Sequence, residues 1–254
     1  MSASVSDLVS IVTPAYRAAA FVGDAIRGAI AQTYQEWEML VVDDCSPDET
    51  ATEIAAIAAV DPRVHLIRAQ RNGGPAAARN LALERARGRF IAFCDADDYW
   101  LPGKLKSQLA FMANRDVALS YTSYRRISED GRRVGHAIPV PESLTYSKLL
   151  GNTAIATSSV LLDRQRVGEV RMKHSFYDDF ILWLEILKSG HVAGGLREDL
   201  LRYRVVQGSW SRSKSRAARM VWRTYRDHER LSLPESCWHL ANYAIRGYLK
   251  YRRF

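Results

Sequence analysis

The sequence predicts an α/β protein: a mostly parallel central sheet flanked by helices, with a helical extension at the C-terminal end. Three observations predict it. Strand-like and helix-like patterns alternate over roughly the first hundred residues, an order that right-handed crossovers turn into a parallel sheet covered by helices. Two of the strand-like runs end in clustered acids, Asp43-Asp44 and Asp95-Ala96-Asp97-Asp98. The final segment is basic and carries apolar residues at helical spacing.

Leu8-Val9-Ser10-Ile11-Val12-Thr13 is a short apolar run of the kind buried on both faces of a sheet, and Pro14 is expected to stop it. From Ala18 to Tyr34, Phe21, Val22, Ala25, Ile26, Ala29 and Ile30 recur at helical spacing. Glu38-Met39-Leu40-Val41-Val42 is a second strand. Ser46-Pro47-Asp48-Glu49 then opens a helix with a cap residue, a Pro and early acids. Val64-His65-Leu66-Ile67 is a third strand, Asn72-Gly73-Gly74-Pro75 a turn, and Ala76 to Arg87 an Ala-rich helix ended by Gly88. Phe90-Ile91-Ala92-Phe93 is a fourth strand. Further on, 118–124 and 156–162 read as strands, Glu129-Asp130-Gly131 as a hairpin turn and Phe180 to Lys188 as an amphipathic helix.

The acids at 95, 97 and 98 cannot all be core residues, because an unpaired buried carboxylate is very costly. They form either a solvated turn capping a helix at Pro102 or a cluster just past the carboxyl end of a buried strand, where α/β sheets place ligand crevices. Asp43 and Asp44 end a strand at the same edge, which favours the crevice. Crowded carboxylates need a cation, and Mg²⁺ or Mn²⁺ fits, taking one or two carboxylates plus substrate phosphates. No G-x-G-x-x-G follows a strand and no G-x-x-x-x-G-K-[ST] occurs, which argues against dinucleotide dehydrogenases and P-loop NTPases.

The 254 residues suffice for one large domain. No apolar run approaches the roughly 20 residues that span a bilayer. The N-terminus lacks a secretory pattern, and the three cysteines form neither a zinc pattern nor a disulfide framework, so a cytoplasmic location is expected. Residues 197–254 hold 14 Lys+Arg against 5 Asp+Glu, whereas residues 1–196 hold 22 against 23. The basic patch therefore belongs to the tail and faces something anionic there.

The motifs Thr13-Pro14-Ala15-Tyr16, Gln32-Thr33-Tyr34, Val41-Val42-Asp43-Asp44-Cys45-Ser46, Asn72-Gly73-Gly74, Ala77-Ala78-Arg79-Asn80 and Asp95-Ala96-Asp97-Asp98 follow one another in a characteristic order. In that order the chain resembles family 2 glycosyltransferases of the GT-A fold. Trp100-Leu101-Pro102, Leu105, Gln108-Leu109, Thr122-Ser123-Tyr124 and Asp179 with Trp183 extend the resemblance to about residue 230. Within the family it is most similar to the teichuronic acid type, which builds bacterial cell-surface polysaccharides. One position departs: the family often has Tyr-Asn where this chain has Tyr16-Arg17.

The resemblance implies a catalytic domain over 1–210, with a nucleotide-binding half of about 1–115 and an acceptor half of about 116–210, then a basic amphipathic tail over 211–254. It implies that Pro14, Ala15 and Tyr16 line the nucleobase of a nucleotide-sugar donor and that Asp44, or its neighbour Asp43, accepts its N–H. Helix capping is the alternative for both acids. Arg79 would approach the nucleotide or its phosphates, unless it is a surface Arg. Asp95 would touch the ribose or sugar, Asp97 would ligate the metal, and Asp98 would orient its neighbours or the sugar, with Ala96 between them. Inverting transfer needs a carboxylate base on the acceptor side. The family pattern puts it at Asp179, with Asp178 as the alternative, unless both merely complement a helix dipole. The loop at Gly151-Asn152-Thr153 would contact the acceptor. In the segment 203–211, Arg204 would close over the diphosphate or be a surface charge.

In the tail, His239, Asn242, Arg246, Lys250 and Arg253 form one polar stripe. Trp238, Leu240, Tyr243, Ile245, Tyr248, Leu249 and Tyr251 lie on a broad apolar face. Residues 213–253 either contact an anionic membrane peripherally, which suits a lipid-linked glycan acceptor, or pack on the catalytic domain. The resemblance implies transfer of a sugar from a uridine-linked donor to such an acceptor. A sugar-phosphate nucleotidyltransferase is the enzyme rival. A nucleic-acid-binding protein is disfavoured, because the charge is confined to the tail and the crevice is acidic.

Overall fold

The computed structural model describes residues 7–152, 154–173, 177–206 and 214–251. Its first half is a parallel sheet built from β1 (Val9–Ala15), β2 (Trp37–Asp43), β3 (Val64–Arg68) and β4 (Phe90–Phe93). The helices between them are α1 (Val22–Ile30), α2 (Thr50–Ala58) and α3 (Gly74–Leu83). After β4 come β5 (Tyr99–Trp100), α4 (Lys104–Arg115), β6 (Leu119–Ser128), β7 (Val134–Ile138), β8 (Ser143–Leu144) and α5 (Tyr146–Leu150). Next are β9 (Leu161–Asp163), α6 (Arg164–Val167), α7 (Asp178–Lys188) and β10 (Ala193–Val205). The tail holds α8 (Lys214–Arg223), a π-helical turn (Thr224–His228) and α9 (Leu233–Tyr251).

All ten strands join one sheet in the order β3-β2-β1-β4-β9-β6-β10-β5, with β7 on β6 and β8 on β10. The β3-β2-β1-β4 part is parallel, as expected. The second half is mixed: β9 runs antiparallel to both β4 and β6, while β6 and β10 are parallel. The sheet therefore ends less parallel than the alternation alone predicts, because β9 enters between β4 and β6 in the reverse direction. The expected hairpin is present as the antiparallel β6–β7 pair, with the Gly131 N–H on the Ser128 carbonyl.

Successive residues of the inner strands feed opposite faces. Ile11, Met39, Val41 and Ala92 enter one core with α1 and α2, and Val12, Leu40, Val42 and Phe93 enter the other with α3 and α7. That two-sided burial is why these strands read as continuous apolar runs.

Several boundaries differ from the sequence reading. Pro14 does not stop β1; it lies within it, opposite Val42. The second helix starts at Thr50 rather than near Ser46, because the Ser46 N–H turns back onto Asp43 and Asp48 receives the Thr50 N–H and hydroxyl. Residues 156–162 are not one strand: Thr157–Ser159 form a 3-10 turn and only Leu161–Asp163 pair.

The tail is divided. Leu240 and Tyr243 pack against the core that contains Val221 and Tyr225, and the half-buried His239 lies edge-on to Tyr225. Trp238, Ile245 and Tyr248 remain exposed. The expected single apolar face is therefore split between packing and solvent. Arg253 lies outside the described residues. No helix among the described residues is long and apolar enough to cross a membrane.

Candidate active site

The carboxyl ends of β1, β2 and β4 share one edge of the sheet, with β1 between its two parallel neighbours. This is the position where the strand order reverses and a crevice opens. Ala15 is buried and Tyr16 is 46% exposed there. Arg17 follows with φ of +52°, and its guanidinium lies near the Tyr16 ring.

Asp43 and Asp44 are both buried at the end of β2. The Asp44 carboxylate accepts the N–H groups of Gly73 and Gly74, each at 2.8 Å, and so caps the N-terminus of α3 across the crevice floor. Gly74 takes φ of +80° to turn its N–H there. The capping alternative thus describes Asp44. Asp43 accepts one N–H, from Ser46, on Oδ1.

Arg79 is not a surface residue. It is buried, with one terminal nitrogen 2.6 Å from Asp95 and the other 3.0 Å from Asp178. Burial opposes its charge, but Asp95, Asp178 and Asp179 together outweigh burial and hold the guanidinium firmly protonated. Its neighbour Asn80 clamps Met172 through both backbone groups, fixing the approach to α7. Burial, tempered by Arg79 and raised by Asp179, pushes the Asp178 carboxyl up to about 6. Asp179 lies beside it in the first turn of α7, and takes the Thr157 hydroxyl on one oxygen and the Phe180 N–H on the other. Residues 174–176 lie outside the described residues.

Ala96 is buried, and the neighbouring acids diverge. Asp98 is buried and accepts the Arg204 N–H on Oδ1. Burial, then Asp97 and Asp95, push its carboxyl well above the usual range. Arg204 is likewise buried, not a surface charge. Its guanidinium donates to the carbonyls of Asp97 and Glu129 and to Asp24. It thereby pins the Asp97 loop to α1 and to the β6–β7 hairpin. A cavity of about 990 Å³ beside this clamp is lined by Phe21, Asp24, Arg126 and Arg204, among others. Residues 207–211 and Thr153 lie outside the described residues.

Asp97 is a candidate for holding a cation. Among the described residues no side chain donates a hydrogen bond to its carboxyl, and burial followed by the Asp95 charge pushes it up to about 6. Among the described residues no three His, Cys, Asp or Glu groups gather as a metal cage. One carboxylate completed by substrate oxygens is the arrangement Mg²⁺ and Mn²⁺ adopt with phosphates, so these residues fit such an ion.

The family model described as glycosyl transferase family 2 matches residues 10–201. The chain belongs to glycosyltransferase family 2. It is 41% identical over 238 residues to TuaG of Bacillus subtilis, a glycosyltransferase assigned to teichuronic acid biosynthesis, covering 93% of this chain and 94% of that one. It is 34% identical over 245 residues to WfgD of Escherichia coli, named as UDP-Glc:alpha-D-GlcNAc-diphosphoundecaprenol beta-1,3-glucosyltransferase, covering 96% and 95%. Among solved structures, S. aureus TarS 1-349 in complex with UDP-GlcNAc superposes with a TM-score of 0.70 at 18% identity, covering 95% of this chain and 72% of that one. A mannosyltransferase of Pyrobaculum calidifontis in complex with GDP-Man and Mn²⁺ gives 0.69 at 19%, covering 94% and 73%. The expected GT-A architecture is thus the fold of this family 2 glycosyltransferase.

Sequence reasoning missed the supports of the site at Thr157, Ser158 and Lys104. Thr157 and Ser158, read as strand, reach Asp179 and the Asp95 N–H. Lys104 is fully buried, on the Trp100 ring and Gln108; burial pushes its ammonium down to about 7. Gln108 in turn holds Ser120 and the Ser159 carbonyl. Lys104 and Gln108 four residues apart on one helix were the available signal.

Proposed function

We propose that this family 2 glycosyltransferase transfers a sugar, with inversion, from a UDP-sugar to a hydroxyl of a lipid-linked or cell-surface glycan. The observation that carries the reading is Arg79, which draws the donor-side Asp95 and the acceptor-side Asp178 onto one guanidinium at the strand ends. The relatives' printed activities support the donor and acceptor classes.

Pro14, Ala15 and Tyr16 line the nucleobase. Asp43, rather than the capping Asp44, takes its N–H, since Asp43 receives one backbone donor and Asp44 two. Asp95 faces the ribose or sugar. Asp97 would hold Mg²⁺ or Mn²⁺, which when bound neutralises charge on the leaving diphosphate. Asp179 takes the acceptor hydroxyl proton as the acceptor oxygen bonds to the anomeric carbon and the bond from that carbon to the diphosphate oxygen breaks, releasing UDP. Asp178, bound to Arg79, is the orienting partner. The 1–115 half serves the donor, 116–210 the acceptor.

The tail supports work at the cytoplasmic face of a membrane. Exposed Trp238, Ile245 and Tyr248 recur along one side of α9 within a segment of net positive charge. Such a surface suits an anionic leaflet.

Thermal-shift screening of the full chain against nucleotide sugars with Mn²⁺ tests the donor, since a ligand of the folded state raises the melting point. Stabilisation by UDP-sugars and release of UDP during transfer are expected. Release of inorganic diphosphate instead would identify a nucleotidyltransferase and end this reading.

A further inference from the structure

Thr157–Ser159 is a single 3-10 turn, and the sheet explains its location. β9 runs antiparallel to β4, with Leu161 opposite Ala92, so the residues just before β9 lie at the carboxyl end of β4 beside Asp95. The turn is buried, with Thr157 7% exposed and Ser158 and Ser159 fully covered. It is held from behind: the Trp100 indole N–H donates to the Ser158 carbonyl and the Gln108 amide to the Ser159 carbonyl. Forward, one hydroxyl meets a carboxylate and the next a backbone N–H. The Thr157 hydroxyl donates to the Asp179 carboxylate, and Ser158 Oγ accepts the Asp95 N–H at 3.0 Å.

We propose that Thr157 is a positioning residue for transfer: through its hydroxyl it aims the Asp179 carboxylate at the acceptor, from a turn that also fixes the Asp95 peptide. The proposal rests on the reading of Asp179 as the base. Asp179 lies in the first turn of α7, and its other oxygen takes a donor from its own neighbour, so the Thr157 contact comes from a separate element and sets the direction of the carboxylate relative to the donor side. Small errors in such an orientation reduce turnover steeply without altering donor binding. No covalent step passes through Thr157.

The experiment compares full-length Thr157→Val and Thr157→Ser with the parent. Turnover is measured with UDP-glucose, Mn²⁺ and a lipid-diphosphate-linked GlcNAc acceptor, and donor-site affinity with UDP and Mn²⁺ by calorimetry. Valine keeps the shape and loses the hydroxyl; serine keeps the hydroxyl. The expected result is a kcat about 10- to 100-fold lower for Thr157→Val, with unchanged UDP affinity. For Thr157→Ser a kcat within about threefold of the parent is expected, the conservative hydroxyl restoring the contact. In an Asp179→Asn background Thr157→Val should cost nothing further, because residues that act as a unit are not additive. A Thr157→Val variant with parental kcat, one that loses UDP affinity in step with kcat, or a Thr157→Ser as slow as the valine variant each overturns the proposal. Parental turnover in Asp179→Asn alone marks failure of the base reading instead.

Discussion

Arg204, near the end of β10, and Asp24, in the first turn of α1, form a 2.8 Å ion pair between segments 180 residues apart. The same guanidinium holds the Asp97 carbonyl, so a contact at the far end of the chain fixes the loop that carries the candidate metal acid. Arg204→Lys keeps a charge for Asp24 but loses the planar fork. It is expected to lower stability by about 1–3 kcal/mol, through lost hydrogen bonds to buried groups, and to weaken UDP and Mn²⁺ binding. Denaturant unfolding and calorimetry read the two effects.

Arg79 stands between Asp95 and Asp178, and removing it leaves two carboxylates facing each other without a cation. Arg79→Met should cost about 3–5 kcal/mol, the range for breaking one side of a buried pair. Arg79→Lys should not rescue turnover, because one ammonium cannot span both carboxylates. Parental activity in the lysine variant would remove the bridging role.

Asp97 and Asp178 both rise from the ordinary 3.8 to about 6, burial being the largest cause. Between those values the unfolded chain has lost these protons while the folded chain keeps them. Their stabilising contribution is therefore full below the lower value and lost as pH rises through about 6. A cation on Asp97 competes with its proton. Mn²⁺ should accordingly raise the melting temperature more at about pH 7.5 than at about pH 5, and Asp97→Asn should abolish the difference. Differential scanning calorimetry with and without chelator checks it.

Arg17 adopts φ of +52°, a left-handed conformation that Asn tolerates better than Arg. Arg17→Asn should raise stability by about 0.5–1 kcal/mol, read as a shift in the unfolding midpoint.

The exposed side of α9 should be separable from its packed side. Replacing Trp238, Ile245 and Tyr248 together by Ser should leave the melting temperature nearly unchanged, within about 0.5 kcal/mol per surface site, yet abolish flotation with anionic liposomes at low salt. Retained flotation would assign binding elsewhere.

The sequence by itself determined the parallel half of the sheet and the edge at which its acids emerge. Strands buried on both faces need continuous apolar runs, and acids cannot continue those runs, so both features are written locally at 8–15, 37–44 and 90–98. The Asp178-Asp179 pair was legible too, as acids opening an amphipathic helix. Only the tertiary structure decided what each side chain touches. Asp44 caps α3, Asp98 turns inward, Arg79 bridges two acids 83 positions of chain apart, and Thr157 meets Asp179 because β9 pairs antiparallel with β4. Period and spacing record which face of an element is buried; they carry no information about which distant element covers it, and charged groups select their partners only after that packing is complete.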